Sequence, residues 1–93
     1  MNQINPNHIL TYDGVILKVF HASKGEGLPM HGHLFSHATM CNAGSCLVSL
    51  ENGKSIVMTK ETKPVNLIAG VKHEIEALED ETVFVNVFAE GKY

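Results

Sequence analysis

Length, composition and charge restrict the kind of protein that this chain encodes. Its 93 residues are 44% hydrophobic and 18% charged, and the formal net charge is -3. A chain of this size predicts one small domain with a single core, and its negative charge argues against nucleic acid as a partner. The sequence contains no signal peptide pattern and no run of about 18 apolar residues. We therefore expect a cytoplasmic protein with no membrane partner.

Turn signals divide the chain at intervals of about eight to twelve residues, and the segments between them are rich in β-branched and aromatic residues. No segment predicts a helix, and residues 1–10 are set apart as a candidate arm. Short strands at this spacing are typical of an antiparallel sandwich or barrel. Eight strands are predicted, at 15–21, 30–33, 37–42, 46–51, 54–59, 65–68, 73–78 and 82–89.

Two turns are specified more closely by their residues. Asn52-Gly53 predicts a two-residue type I′ hairpin turn, because Asn and Gly both accept positive φ. Ala43-Gly44 is interpreted as a second hairpin turn, which would place Cys41 opposite Cys46. We expect both cysteines to be reduced and structural, since they do not form a CxxC pair. A labile cross-strand disulfide is the alternative.

Alternation along the strands predicts which side chains face the core. The charge of Lys18 assigns it to solvent, which places Val15, Leu17, Val19 and His21 inward and Ile16 and Phe20 outward. In residues 82–89, Phe84 and Phe88 are likewise assigned to the outer face. Because the sequence predicts no helix to cover these outward apolar side chains, we expect a homodimer.

Three histidines within seven residues, His31, His33 and His37, point to a metal centre, and His73 follows later in the chain. Neutral imidazole is the commonest protein ligand of first-row transition metals. Six residues of straight strand would separate His37 from His31 by about 20 Å, so residues 34–36 must reverse the chain. A zincin-like helix carrying His33 and His37 is the alternative, but Pro29, Gly32 and the absence of an intervening glutamate argue against it.

The stretch 25–44 resembles the first motif of the cupin superfamily. The family pattern Gly-x5-His-x-His-x3–4-Glu-x6-Gly is matched by Gly25, His31, His33, His37 and Gly44, with His37 in place of the usual glutamate. The second motif, Pro-x-Gly-x2-His-x3-Asn, is matched around 70–77 by Gly70 and His73, while Ile68 and Ala77 replace its proline and asparagine.

This resemblance implies a fold and a ligand set. The implied fold is a single all-β cupin domain over residues 1–93, a small double-stranded β-helix (jelly-roll) barrel of about eight short antiparallel strands. By analogy with the family, one metal ion is held inside the barrel by His31, His33, His37 and His73.

Four neutral ligands would leave a divalent ion with its full +2 charge, which favours anionic chelating ligands. The nitrogen donors suit Fe, Mn, Ni, Cu or Zn. We expect a metal-dependent enzyme of the dioxygenase type that acts on a small chelating or anionic substrate. A metal-dependent isomerase or lyase and a non-catalytic ligand-binding or sensing module are the alternatives. The candidate pocket residues are Met30, Phe35, Thr39, Cys41 and His21.

Overall fold

A computed structural model describes residues 1–91, and these residues form ten strands and no helix. The all-β fold predicted from the sequence is confirmed, and the eight predicted strands correspond to β3–β10. The strand predicted at 30–33 is displaced, because β4 spans Glu26–His31 and leaves His33 in the loop that follows. The N-terminal residues add β1 and β2. The strands are β1 (Asn2–Gln3), β2 (His8–Tyr12), β3 (Val15–Ala22), β4 (Glu26–His31), β5 (His37–Ala43), β6 (Cys46–Leu50), β7 (Ser55–Met58), β8 (Val65–Leu67), β9 (His73–Ala77) and β10 (Thr82–Ala89).

The strands are arranged in two five-stranded sheets, in the orders β1-β4-β9-β6-β7 and β2-β3-β10-β5-β8. All neighbours pair antiparallel except β1 and β4, which pair in parallel. Neither β4 and β5 nor β5 and β6 are neighbours, so the chain passes from one sheet to the other twice within the first motif. This crossing is what brings residues of both sheets to one site.

The predicted hairpin at Ala43-Gly44 is wrong, because this turn is one of those crossings. Gly44 has φ +71°, and a Cβ there would collide with the Thr82 hydroxyl. Cys41 and Cys46 therefore lie on different sheets and do not form a cross-strand pair. Both are buried free thiols, and burial raises the pKa of each.

The hairpin predicted at Asn52-Gly53 joins β6 and β7, but its turn has a different form. Gly53 has φ +90°, whereas Asn52 does not have a positive φ. The Gly53 N–H donates to the carbonyl of Leu50, and the Leu50 N–H donates to the carbonyl of Lys54. The turn is thus a three-residue loop closed by a left-handed glycine.

The core lies between the two sheets, and it reverses the face assignment made from the sequence. Ile16 and Phe20 are 4% and 3% exposed and point inward, as do Phe84 and Phe88 on β10. The rings of Phe20 and Phe84 stack with centroids 4.8 Å apart. The outward placement of these four side chains was the basis for expecting a homodimer, and that basis is removed.

Candidate metal centre

The two sheets and the loop after β4 bring four histidines to one place. His31 ends β4 and pairs in register with His73, the first residue of β9. His37 begins β5 in the other sheet, and His33 lies in the loop between β4 and β5. Ligand nitrogens of His31, His33 and His73 lie within 4.8 Å of one another, a grouping that could hold a metal ion.

A β-bulge aims His31 at the site. Leu28 pairs with Ile75 and His31 with His73, so two residues of β4, Pro29 and Met30, stand opposite one residue of β9. In a regular strand, alternation would put Leu28 and His31 on opposite faces, because they are three residues apart. The bulge places both on the inner face, and proline is suited to it because it has no N–H to donate to the ladder.

The loop that carries His33 is tied to the turn before β9. The N–H of Gly70 donates to the carbonyl of His33 at 2.8 Å, and the N–H of Ala69 donates to the Ser36 hydroxyl at 2.9 Å. Gly70 has φ +80°, which only glycine adopts without strain. These bonds hold the two motif segments together, and the chain reversal at residues 34–36 returns His37 toward His33 as predicted.

His37 lies at the edge of the cluster. Its ring centroid is 5.2 Å from those of His33 and His73, and the residue is 4% exposed. It is not part of the group whose nitrogens lie within 4.8 Å. Its Nδ1–H donates to the carbonyl of Ala38 at 3.3 Å, which leaves the lone pair on Nε2.

The cluster has the properties that a metal ion requires of its ligands. The Nδ1–H of His31 donates to the carbonyl of Pro29 at 2.7 Å, an interaction that fixes the tautomer with a free lone pair on Nε2. The buried Nε2 atoms of His33, His37 and His73 have no hydrogen-bond partner. Buried polar atoms are rarely left unpaired, so a bound cation would satisfy an unmet requirement of this structure.

Burial also keeps these imidazoles neutral, which is the form that binds metal. It lowers the pKa of His37 and of His73 to about 4. Burial, followed by the neighbouring charges of His31 and Lys18, lowers the pKa of His33 as well. At neutral pH these three histidines therefore offer lone pairs without first losing a proton.

A cavity of about 180 Å³ adjoins the cluster, and its lining includes a cation that the sequence interpretation placed in solvent. Lys18 points inward, with its Nζ 5.4 Å from the centroid of the Phe88 ring. Asn86, its partner in register on β10, also lines the cavity, together with Phe88, His31 and His33. Ile16, Phe20 and Ala22 lie on the same face as Lys18, but Val15, Leu17 and Val19 make the opposite face equally apolar, so the sequence alone did not distinguish the two orientations.

The structure places some of the predicted pocket residues on the inner face near the histidines and others in the core or at the surface. Phe35 stacks on His33 with ring centroids 4.8 Å apart, and Thr39 is fully buried on the inner face two residues after His37. Cys41 belongs to the hydrophobic core. Met30 is 43% exposed on the bulge, and His21 is exposed. The inward placement of His21 is wrong because the parity of β3 was inverted; it borders a separate concavity with Ser23 and Glu81.

Comparisons with known proteins identify the fold. No family model matches the chain, and no curated protein matches its sequence. KdgF from Halomonas superposes with a TM-score of 0.77 at 17% identity, covering 88% of this chain and 76% of that chain. A cupin-2 domain protein from Shewanella frigidimarina gives 0.76 at 13% identity, covering 97% and 84%.

A chain from the crystal structures of the DMSP lyases RdDddP and RnDddQII superposes with a TM-score of 0.70 at 17% identity, covering 84% of this chain and 40% of that chain. Within residues 1–91, no helix is long and apolar enough to cross a bilayer. The two five-stranded sheets and these superpositions together show that the chain has the cupin fold.

Proposed function

We propose that this protein binds one divalent transition-metal ion through His31, His33, His37 and His73. The observation that carries the proposal is the set of three imidazole nitrogens within 4.8 Å of one another. Ligands about 2.1 Å from a common ion lie about 3.0–3.4 Å apart, so small side-chain rotations complete such a site. His37 supplies the fourth nitrogen, since its unpaired Nε2 borders the same group.

The proposed reaction class is a metal-dependent oxygenation of a small chelating or anionic substrate. If the ion is octahedral, four protein ligands leave two coordination positions for substrate or dioxygen. A structural zinc site, in contrast, is tetrahedral and has all four positions filled by protein ligands. Such a metal supplies Lewis acidity and, if it is redox-active, dioxygen chemistry. The adjoining cavity has apolar walls at Phe20, Leu28 and Phe88, which bind the carbon skeleton and exclude water. Its volume of about 180 Å³ is below the range typical of sites for drug-sized ligands, which suits a small organic acid.

A metal-dependent lyase or isomerase is the second candidate. Two observations favour it: the similarity in fold to a chain from the DMSP lyase structures, and the presence of Lys18 in the cavity. An ammonium group beside a metal-bound substrate assists reactions in which negative charge develops on that substrate. This candidate needs neither dioxygen nor a redox change at the metal.

Metal content measured by mass spectrometry after loading and gel filtration tests the proposed site. We expect about one equivalent of metal in the parent protein and its loss in His31→Ala, His33→Ala and His73→Ala. His8→Ala is the matched control, because His8 is exposed on β2, and it should keep the metal. Circular dichroism of each variant confirms that it is folded. Full metal retention in both folded His31→Ala and folded His73→Ala would contradict the site.

Turnover of small 2-oxo and 2-hydroxy acids, followed by mass spectrometry in the presence and absence of air, separates the reaction classes. Dioxygen-dependent turnover with iron supports the oxygenase, and anaerobic turnover with zinc or manganese supports the lyase or isomerase. Ligand binding without turnover under either condition would identify a non-catalytic module.

A further inference from the structure

The inner face of the second sheet carries one row of polar side chains beside the histidine cluster. Lys18 on β3 pairs in register with Asn86 on β10, and Asn86 pairs with Thr39 on β5. Residues paired in this way project from the same face of a sheet. The row lies two residues along β10 from Phe88, whose ring is 4.4 Å from that of His37.

Two members of the row have unmet hydrogen-bonding capacity. Asn86 is 2% exposed and Thr39 is fully buried. Neither Asn86 Oδ1 nor Thr39 Oγ1 has a hydrogen-bond partner. Asn86 also lines the cavity that contains Lys18, His31 and His33. An unpartnered, buried amide oxygen at the wall of a cavity can accept a hydrogen bond from a donor group of a ligand or from a bound water.

Charge supplies the third observation. Among the described residues that line this cavity, Lys18 is the cation and none is a carboxylate. Its ammonium and the histidine cluster share the Phe88 ring as a neighbour, since the ring lies 5.4 Å from the Nζ and 6.2 Å from the His33 ring. The charge of Lys18 contributes to lowering the pKa of His33 and of His37, which places it within electrostatic reach of the cluster.

We propose that Lys18 binds the second anionic group of a metal-chelating dicarboxylate and thereby selects dianionic over monoanionic substrates. This inference rests on the proposed function, because it requires a metal at the histidines to bind the first carboxylate. The selected ligand has one chelating end for the metal and a carboxylate at its other end for the ammonium. A hydroxyl or bound water donates to Asn86 Oδ1.

Cobalt(II) is the metal used for the test, because its visible spectrum reports changes in its ligands. Malate and lactate are the two ligands tested: both chelate through a 2-hydroxy acid group, but only malate carries a second carboxylate. Titrations at about 0.15 M salt, where long-range charge effects are screened, give the dissociation constant of each. The parent protein should bind malate more tightly than lactate.

Lys18→Met should keep one equivalent of cobalt, weaken malate binding about tenfold or more, and leave lactate binding within about twofold. A charge-assisted hydrogen bond accounts for a change of this size. Lys18→Arg should restore part of the preference for malate. Lys54→Met, which removes an exposed lysine in the β6–β7 turn, is the matched control and should behave as the parent.

Equal malate affinity in the parent and Lys18→Met would overturn the inference while leaving the metal site intact. So would an equal loss of malate and lactate affinity, which indicates a general charge effect, or a parent protein that binds the two acids equally. Failure of the parent to bind cobalt would instead overturn the proposed function, and the inference with it.

Discussion

The metal-free protein should lose stability as the pH falls from about 6.5 toward 4. Burial lowers the pKa of His37 and of His73 to about 4 in the folded state, whereas an unfolded histidine titrates near 6.5. Between these values the unfolded chain takes up protons that the folded chain does not bind. Stability rises with pH wherever the unfolded state binds more protons, so the folded state is penalised as the pH falls through this window.

The size of the effect follows from the two pKa values. At pH 5, an unfolded pKa of 6.5 and a folded pKa of about 4 correspond to a loss of about 2 kcal/mol per histidine relative to pH 7.5. Burial is the main cause of the lowered pKa of His73 too, but the charge of His37 contributes to it, so the two losses are not independent and do not simply add. A loss of about 2 kcal/mol is already a large part of the total free energy of unfolding expected for a small domain.

Urea unfolding followed by circular dichroism, in the presence of a chelator at pH 7.5, 6.5, 5.5 and 5.0, measures this loss. The carboxylates titrate in the parent and in the variants alike. The difference in the free energy of unfolding between parent and variant, followed against pH, therefore reports the contribution of the substituted histidine. His37→Gln should lose about 2 kcal/mol less than the parent between pH 7.5 and pH 5. His8→Gln should follow the parent. Indistinguishable pH profiles for the parent and His37→Gln would show that His37 is not a buried neutral imidazole.

Three further predictions concern the site and its supports. His37→Glu should retain the metal and lower the Fe(III)/Fe(II) potential of an iron-loaded protein. The reason is that a carboxylate reduces the charge of the centre and favours the higher oxidation state. An unchanged potential in a redox titration would mean that His37 does not bind the metal. Gly27→Ala should destabilise the fold by about 1–3 kcal/mol, measured by urea unfolding, because its Cβ would collide with the carbonyl of Ile75 where β4 pairs with β9. We still expect a homodimer, now through the apolar outer face of the second sheet. Leu17→Glu should convert the dimer into a monomer, as measured by light scattering. A parent protein that is only a 10.2 kDa species at micromolar concentration would contradict this expectation. On that outer face Leu17, Val19, Met40 and Val87 are partly exposed, and Val85 between them is buried.

Local pattern was sufficient to predict the strands and the histidine cluster. Segments rich in β-branched residues between turn signals predicted β3–β10, because strand propensity and glycine turns act over a few residues. The short spacing of His31, His33 and His37 allowed their proximity to be inferred once the chain was required to reverse. His73 came from the resemblance to the second motif, since its register opposite His31 depends on a pairing between distant segments.

Long-range pairing explains the predictions that failed. Whether Ala43-Gly44 closes a hairpin or crosses between sheets depends on which strands flank β5, and the turn residues are compatible with both. In the structure β5 pairs with β10, with Ala43 opposite Val83, and Thr82 lies against Gly44. The bulge at Pro29 and Met30 is also set by pairing with β9, although a proline inside a strand is a local sign of an irregularity.

The inverted face of β3 has a different cause. Each face of this strand carries three apolar side chains, Val15, Leu17 and Val19 on one and Ile16, Phe20 and Ala22 on the other, so the charge of Lys18 alone decided the assignment. Three apolar residues buried against the core outweigh one charged group whose head reaches a cavity, because a lysine can bury its methylene stem and keep its ammonium in a polar environment. A lysine retained on an inner face departs from the rule that charged side chains face solvent, and such departures are expected mainly at functional sites. The residue that misled the face assignment is thus the same one whose position beside the histidines gives the cavity its positive charge.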